Sequence, residues 1–240
     1  MKSINLTIPL YNEELVLSEN VVKILDFLNY SGMDKTCNWQ IILANNSSTD
    51  KTEAIAKIFA HQFPQKVFYL YLPQKGKGLA IKTAWEKFPA DYYIFMDADL
   101  ATDLEALPRL VAALEDDANL VIGSRYLPES KTERSILRIL ISKIYRSLAR
   151  LWLNIPFTDL ACGFKGADRK IINQILPMVK NKEWFFDTEL VYRCRLAGFK
   201  IKEIPVKWTE TLNQKRKSRV GIINVGWNYL KEITRLKLLP

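Results

Sequence analysis

The sequence predicts an α/β domain with a mostly parallel central sheet flanked by helices. Three observations carry that expectation. Short apolar runs alternate with longer amphipathic stretches through the first half of the chain. A length of 240 residues at 48% apolar content can bury a real core, as one large domain or two small ones. No internal repeat or low-complexity tract interrupts the pattern.

Ile4 to Pro9 is the first strand. Asn12 is placed to cap a first helix whose opening turn holds Glu13 and Glu14, where carboxylates suit the positive end of the helix dipole. Gln40 to Ala44 is the second strand, and Asp50 with Glu53 starts the helix that runs from there to about Phe63. Val67 to Leu72, Tyr92 to Met96 and Leu120 to Gly123 are the next three strands. Ligands of such sheets collect beyond the carboxyl ends of the strands. The segments there read PLYNEE (9–14), NNSSTD (45–50), PQKGKG (73–78), DADLATD (97–103) and GSRY (123–126). Each carries carboxylates, amides, hydroxyls, glycines or cations, and together they suit a nucleotide.

Composition narrows the setting. The three cysteines, Cys37, Cys162 and Cys194, are widely spaced and form no CxxC, so neither a disulfide framework nor a zinc site is indicated. A reducing compartment fits them. The N-terminus runs directly into a strand without the apolar core of a secretory signal, and no segment reaches the roughly 18 apolar residues of a membrane span. The expectation is a cytoplasmic protein that can lie on the cytoplasmic face of a membrane. A net charge of +9 favours anionic partners. Nucleic acid is set aside, because the basic residues interleave with acids and no recognised binding module is present.

Individual residues then take candidate roles, each beside a plainer one. Asp97 and Asp99 are two apart, so on an extended segment they point the same way and can share one hard divalent cation. The plainer role is a strand end with solvated acids. Lys75, Gly76 and Lys77 offer open backbone amides and two cations near a helix start, which is phosphate-binding chemistry or an ordinary turn. Tyr11 can stack on a base or simply pack. Asn45, Asn46 and Ser47 can bond a base edge or form a turn.

In order, PLYNE, NNSSTD, GKG, DADL, GSRY, DLACGFK (159–165), FDTEL (186–190), IKEIPVKW (201–208) and KSR (217–219) resemble the family 2 glycosyltransferases, in particular the dolichyl- and polyprenyl-phosphate glucosyl and mannosyl synthases. The likeness spans Ile4 to about Val220. It implies a GT-A fold over 1–220, with a nucleotide-sugar half at 1–125 and an acceptor half at 126–220. A C-terminal amphipathic helix would occupy 221–240. It further implies donor contacts at Pro9, Tyr11, Glu13 and Asn45, a donor and Mg²⁺ or Mn²⁺ site at Asp97 and Asp99, and a phosphate-facing Arg125. Where relatives read DDGS or DNGS, this chain has Asn45, Asn46, Ser47 and Ser48, which loses charge and adds donors. A UDP-sugar is the first expected donor and a GDP-sugar the second.

The acceptor side has two solutions. A hydroxyl needs a base, and Asp187 sits where hydroxyl-directed relatives carry theirs; its alternative is to cap a helix beginning near Thr188. A lipid phosphate is already an oxyanion and needs only cations, which Arg125, Arg216, Lys217 and Arg219, with Ser218, can supply. Between Arg134 and Leu153, cations fall on one half of the helical wheel and aliphatics on the other. That pattern suits contact with an anionic membrane or an ordinary surface helix. The expected reaction is therefore inverting sugar transfer to a polyprenyl or dolichyl phosphate. A hydroxyl acceptor and a non-catalytic nucleotide-sugar-binding protein are the alternatives. A haloacid-type phosphatase is disfavoured, since Leu100 follows the DxD and the motif lies on the fourth strand.

Overall fold

The structure, a computed structural model, describes residues 1–133, 146–147, 149–209 and 222–238, the last helix as backbone alone through residue 228. Chain order is β1 (Lys2–Leu10), α1 (Leu17–Tyr30), α2 (Met33–Thr36), β2 (Cys37–Asn46), α3 (Thr52–Gln62), β3 (Val67–Leu72), α4 (Lys77–Lys87), β4 (Tyr92–Met96), α5 (Ala106–Glu115), β5 (Leu120–Ser124) and β6 (Lys131–Glu133). Then come β7 (Phe164–Asp168), α6 (Arg169–Gln174), α7 (Phe186–Leu196), β8 (Ile201–Pro205), β9 (Lys207–Thr209) and α8 (Ile222–Leu238).

Seven strands form one sheet in the order β3-β2-β1-β4-β7-β5-β8. All neighbours run parallel except β7, which is antiparallel to β4 and β5. Period-two alternation divides the strands between two cores. Ile4, Leu6, Ile8, Ile41, Leu43, Ile94 and Met96 bury against α1, α3 and α5. Tyr93, Phe95, Ile122 and Ala167 face the other way, against α4, α6, α7 and α8. Under α4 the buried side of β1 is polar, and it is fully used. Asn5 Nδ2 donates to the α4 carbonyls of Ala84 and Phe88 at 3.3 and 2.8 Å, and Thr7 Oγ1 donates to Asn5 Oδ1. The Phe88 carbonyl lies at the helix C-cap, where backbone acceptors lack a partner within the helix, while the Ala84 carbonyl accepts from Phe88 N as well.

The single α/β domain with a mostly parallel sheet is as the alternation predicts. Two local readings need correction. Asn12 does not cap the first helix, which begins at Leu17. It instead adopts φ 53° and locks two loops together: its N–H donates to Ser48 Oγ at 2.9 Å and its Oδ1 accepts from Thr49 N at 2.7 Å. Asp187 does not cap a helix either, because α7 already begins at Phe186 and Asp187 is buried in its first turn.

Of the stretch from Arg134 to Leu153, residues 134–145 and 148 lie outside the described residues. Its far end is helical, with Ala149 and Leu153 buried and Leu151 exposed. Arg150 turns inward there to donate to the carbonyls of Phe157 and Pro156. Among the described residues no helix is long and apolar enough to cross a membrane. At the C-terminus, α8 seats Ile233 and Leu236 in the second core.

Candidate active site

The carboxyl ends of β1, β2, β4 and β5 meet the turn before α4 at one edge of the sheet. Asp97 directly follows β4. Its Oδ1 lies 2.8 Å from Lys77 Nζ, and its Oδ2 is walled off by Gly163, where an added Cβ would come within 1.9 Å. Only glycine leaves Asp97 this position. Asp99 Oδ1 accepts from Ala101 N at 3.1 Å, and Asn20 Nδ2 donates to Ala98 O at 2.9 Å, which ties this loop to α1. Asp103, the third carboxylate of the run, faces elsewhere: its Oδ1 accepts from Lys207 N at 3.3 Å and pins β9.

Behind Asp97 the charges alternate. Lys165, fully buried on β7, donates to Asp187 Oδ1 at 2.7 Å and to the Cys162 carbonyl. Asp187 Oδ2 lies 3.6 Å from Lys77 Nζ, which itself reaches Asp97. Burial works against the charge on Lys77, but Asp187 and Asp97 outweigh it and hold its pKa above the ordinary lysine value. For Asp97, burial of its surroundings pushes the pKa up; Lys77 opposes this, while Asp99 and Asp187 add to it. Asp97 is still 37% exposed on its side chain, so a ligand can reach it. Burial pushes the neighbouring Cys162 thiol up to about 11, so it is no nucleophile.

The turn before α4 is held by the segment that leads into α7. Gly76 has φ 151°, a left-handed conformation, and a Cβ there would sit 2.5 Å from Lys182 O; the same carbonyl accepts from Leu79 N. Lys75 Nζ stands over the Tyr11 ring at 4.6 Å. Pro9 pairs with Ala44 in the β1–β2 register, and Glu13 N donates to Thr52 Oγ1 at 2.6 Å. Asn45 is engaged at both ends, its Nδ2 donating to Tyr69 OH and its Oδ1 accepting from Ser48 N. Its neighbour Asn46 is also buried, yet Asn46 Oδ1 has no hydrogen-bond partner among the described residues. An orphaned buried acceptor costs stability unless something else donates to it.

Arg125 is gripped as a fork. Its Nε and Nη2 donate to Asp159 Oδ2 and Oδ1 at 2.6 and 2.8 Å, and its backbone N–H donates to Asp159 as well. Glu203 Oε1 in turn accepts from Thr158 N, Thr158 Oγ1 and Asp159 N. Burial would raise the pKa of Asp159, but Arg125 overrides it and holds the carboxylate below its ordinary range. Tyr229 on α8 donates to Trp184 O at 3.1 Å and packs its ring on Phe185. Burial, with Asp187 adding, raises its pKa.

The sequence-predicted residues Asp97, Asp99, Lys75, Gly76, Lys77, Tyr11, Glu13, Asn45, Arg125 and Asp187 thus lie on the loops and helix starts of one sheet edge. Lys217, Ser218 and Arg219 lie outside the described residues. Sequence reasoning missed Lys165, Gly163 and Asp159, all within the quoted DLACGFK, together with Glu203 and Tyr229. A lysine inside an otherwise apolar strand was the available signal. Among the described residues no cluster of three His, Cys, Asp or Glu side chains forms a self-sufficient metal cage. Asp97 and Asp99 do fit a cation whose remaining ligands come from a bound diphosphate, since carboxylate oxygens suit a hard metal.

Comparison with known proteins bears on the family and the fold. The profile of Glycosyl transferase family 2 matches residues 6–176. The chain is 32% identical over 235 residues to a dolichyl-phosphate beta-glucosyltransferase, ALG5A of Trichomonas vaginalis, covering 95% of this chain and 72% of that one. It is 29% identical to glycosyltransferase AglD of Haloferax volcanii over 99% of this chain, but spans only 38% of AglD. Among solved structures it resembles glucosyl-3-phosphoglycerate synthase of Mycobacterium tuberculosis, crystallised with Mn²⁺, UDP and phosphoglyceric acid, at TM-score 0.67 and 18% identity over 98% of this chain and 77% of that one.

Proposed function

The chain belongs to glycosyl transferase family 2, and from that premise we propose that it is an inverting hexosyltransferase moving a sugar from a nucleotide diphosphate sugar to a polyprenyl or dolichyl phosphate. One observation carries the choice of acceptor. The carboxylate at the position of a general base, Asp187, is buried with one oxygen bonded to Lys165 and the other 3.6 Å from Lys77. A base must have an oxygen facing the proton it removes, so this arrangement suits an acceptor that arrives already ionised. The relatives that act on dolichyl phosphate support the same reading.

In this reading the attacking phosphate oxygen displaces the nucleoside diphosphate in line at the anomeric carbon, which inverts it. A divalent cation, Mg²⁺ or Mn²⁺, held by Asp97 and Asp99 would stabilise the charge developing on the departing diphosphate. Lys77 and the amides around Gly76 hold that diphosphate, and Asp159 fixes the plane of Arg125 so that its guanidinium orients the acceptor phosphate. Lys217, Ser218 and Arg219 are proposed to complete the acceptor-phosphate site. The buried Asn46 Oδ1 is suited to accept from an N–H of the donor base, with Asn45 holding the turn beside it. A UDP-sugar is the first choice and a GDP-sugar the second. The net charge of +9 supports peripheral contact with an anionic membrane on its cytoplasmic face.

Replacing Asp187 cannot isolate its chemistry, because it also takes the counter-charge from the fully buried Lys165. Acceptor identity is the cleaner variable. The enzyme should glycosylate polyprenyl phosphate and not the matching polyprenol, and Arg125→Ala should raise KM for the lipid phosphate more than KM for the donor. Preferential glycosylation of polyprenol or of a soluble sugar would overturn the lipid-phosphate assignment.

A further inference from the structure

Asp97 is open to solvent, yet both of its oxygens already have a close neighbour. Its Oδ2 lies against the Gly163 backbone, and its Oδ1 is 2.8 Å from the Lys77 ammonium. Lys77 is 7% exposed and has a second carboxylate within reach, Asp187 Oδ2, at 3.6 Å. Its Nζ also stands over the Phe95 and Trp184 rings at 5.3 and 5.1 Å, favourable cation–π positions it can hold with either carboxylate. Asp187 stays compensated whichever carboxylate Lys77 favours, because Lys165 remains bonded to its other oxygen.

We propose that Lys77 is a resident counter-ion seated on Asp97 that must leave it before Asp97 can bind a divalent cation, staying within reach of Asp187 until the donor diphosphate takes it. A unit positive charge 2.8 Å from the ligand oxygen both occupies its lone pair and repels an incoming cation. The site without donor therefore carries its own neutralising charge, which makes metal binding weak until a diphosphate arrives to take the lysine. By linkage, the metal and the diphosphate strengthen each other's binding through this one side chain. Lys77 in this role is a positioning residue that couples two ligands, and Asp187 is its anchor. The inference rests on the metal-dependent donor site proposed above.

The test reads metal binding directly. Free Mn²⁺ is followed by electron paramagnetic resonance over wild type, Lys77→Met and, as a control on the same helix, Lys82→Met, each without nucleotide. Lys77→Met should bind Mn²⁺ at least about tenfold more tightly than wild type, and Lys82→Met within about twofold of it. Because a buried lysine variant can misfold, a second measurement uses wild type alone. Acetylation of Lys77 by a water-soluble amine reagent, read by mass spectrometry, should rise several-fold when Mn²⁺ is added and fall again with UDP. Lys77→Met binding no tighter than wild type, or Lys77 labelling indifferent to Mn²⁺, overturns the inference. Wild-type turnover with polyprenyl phosphate, run alongside, separates the two ideas. Turnover with unchanged labelling removes only the lysine shift, whereas no Mn²⁺ binding even with UDP present removes the metal site itself.

Discussion

Gly163→Ala is the smallest change that reaches the proposed catalytic carboxylate. The added methyl would stand 1.9 Å from Asp97 Oδ2, 2.4 Å from Cγ and 2.8 Å from Oδ1, where real contacts do not fall below 3.0 Å. Asp97 must therefore retreat by at least about 1 Å, a displacement that typically costs about 10²-fold in rate when it moves a reacting geometry. That loss corresponds to about 2.7 kcal/mol of transition-state stabilisation. Alanine brings no backbone strain, because Gly163 is not among the residues with positive φ. The carboxylate can swing into the cleft, so the fold should lose less than about 1 kcal/mol. The assay pairs kcat/KM for sugar transfer with Mn²⁺ affinity in the presence of UDP and with the thermal midpoint. A fall of about a hundredfold in kcat/KM with weakened metal binding and a near-wild-type midpoint is the expected result. A folded Gly163→Ala enzyme with wild-type kcat/KM and metal affinity would refute the argument that Asp97 works from the position glycine allows it.

Asp99→Ala should abolish turnover while leaving circular dichroism and the midpoint unchanged, and excess chelator should do the same to wild type. Glu189, fully buried, accepts from Arg193, Arg235 and Asn181 N, so Glu189→Ala strands the buried Arg193 and should cost about 3–5 kcal/mol in urea unfolding. Asp159 has a folded pKa depressed below its unfolded one, so its contribution is present above the ordinary carboxylate value of about 3.9 and is lost as pH falls through the folded value. The difference in stability between wild type and Asp159→Asn should then be constant from pH 7 to about 5 and shrink only below about 4. A difference that persists unchanged into strong acid would mean that folding does not depress the pKa of this carboxyl.

The first half of the fold was legible because its signals are local. Val67–Leu72 and Tyr92–Met96 were bounded to the residue, since each apolar run stops at a turn or a carboxylate. The second strand extends to Cys37–Asn46, past the predicted Gln40 to Ala44. Its last residues, Asn45 and Asn46, still pair in the ladder, where hydrophobic pattern gives no signal, whereas buried Cys37 and Trp39 alternate with exposed Asn38 at its start. The loops that carry the site were legible for the same reason: topology alone assigns them to one edge. Partner choice was not. Arg125 and Asp159 are 34 residues apart and Lys165 and Asp187 are 22 apart, and no periodicity links such pairs. The strand FKGAD was missed as well, because its buried lysine is compensated only by a residue on another element.

That missed strand explains why the site works from one edge at all. In a wholly parallel sheet, only the loops that follow strands reach the carboxyl edge. β7 runs the other way, with Phe164 opposite Met96 and Asp168 opposite Tyr92. The segment that precedes β7 is therefore delivered to the edge where Asp97 begins, and continuing the register one step brings Gly163 against Asp97. The same reversal carries Asp159, four residues earlier, to Arg125 beyond the end of β5, while Lys165, one step inside the strand, reaches back to Asp187 on α7. One antiparallel strand thus supplies the wall behind Asp97, the clamp on Arg125 and the counter-ion of Asp187. A shift of its register by one residue would turn Lys165 to the opposite face of the sheet and remove all three contacts together.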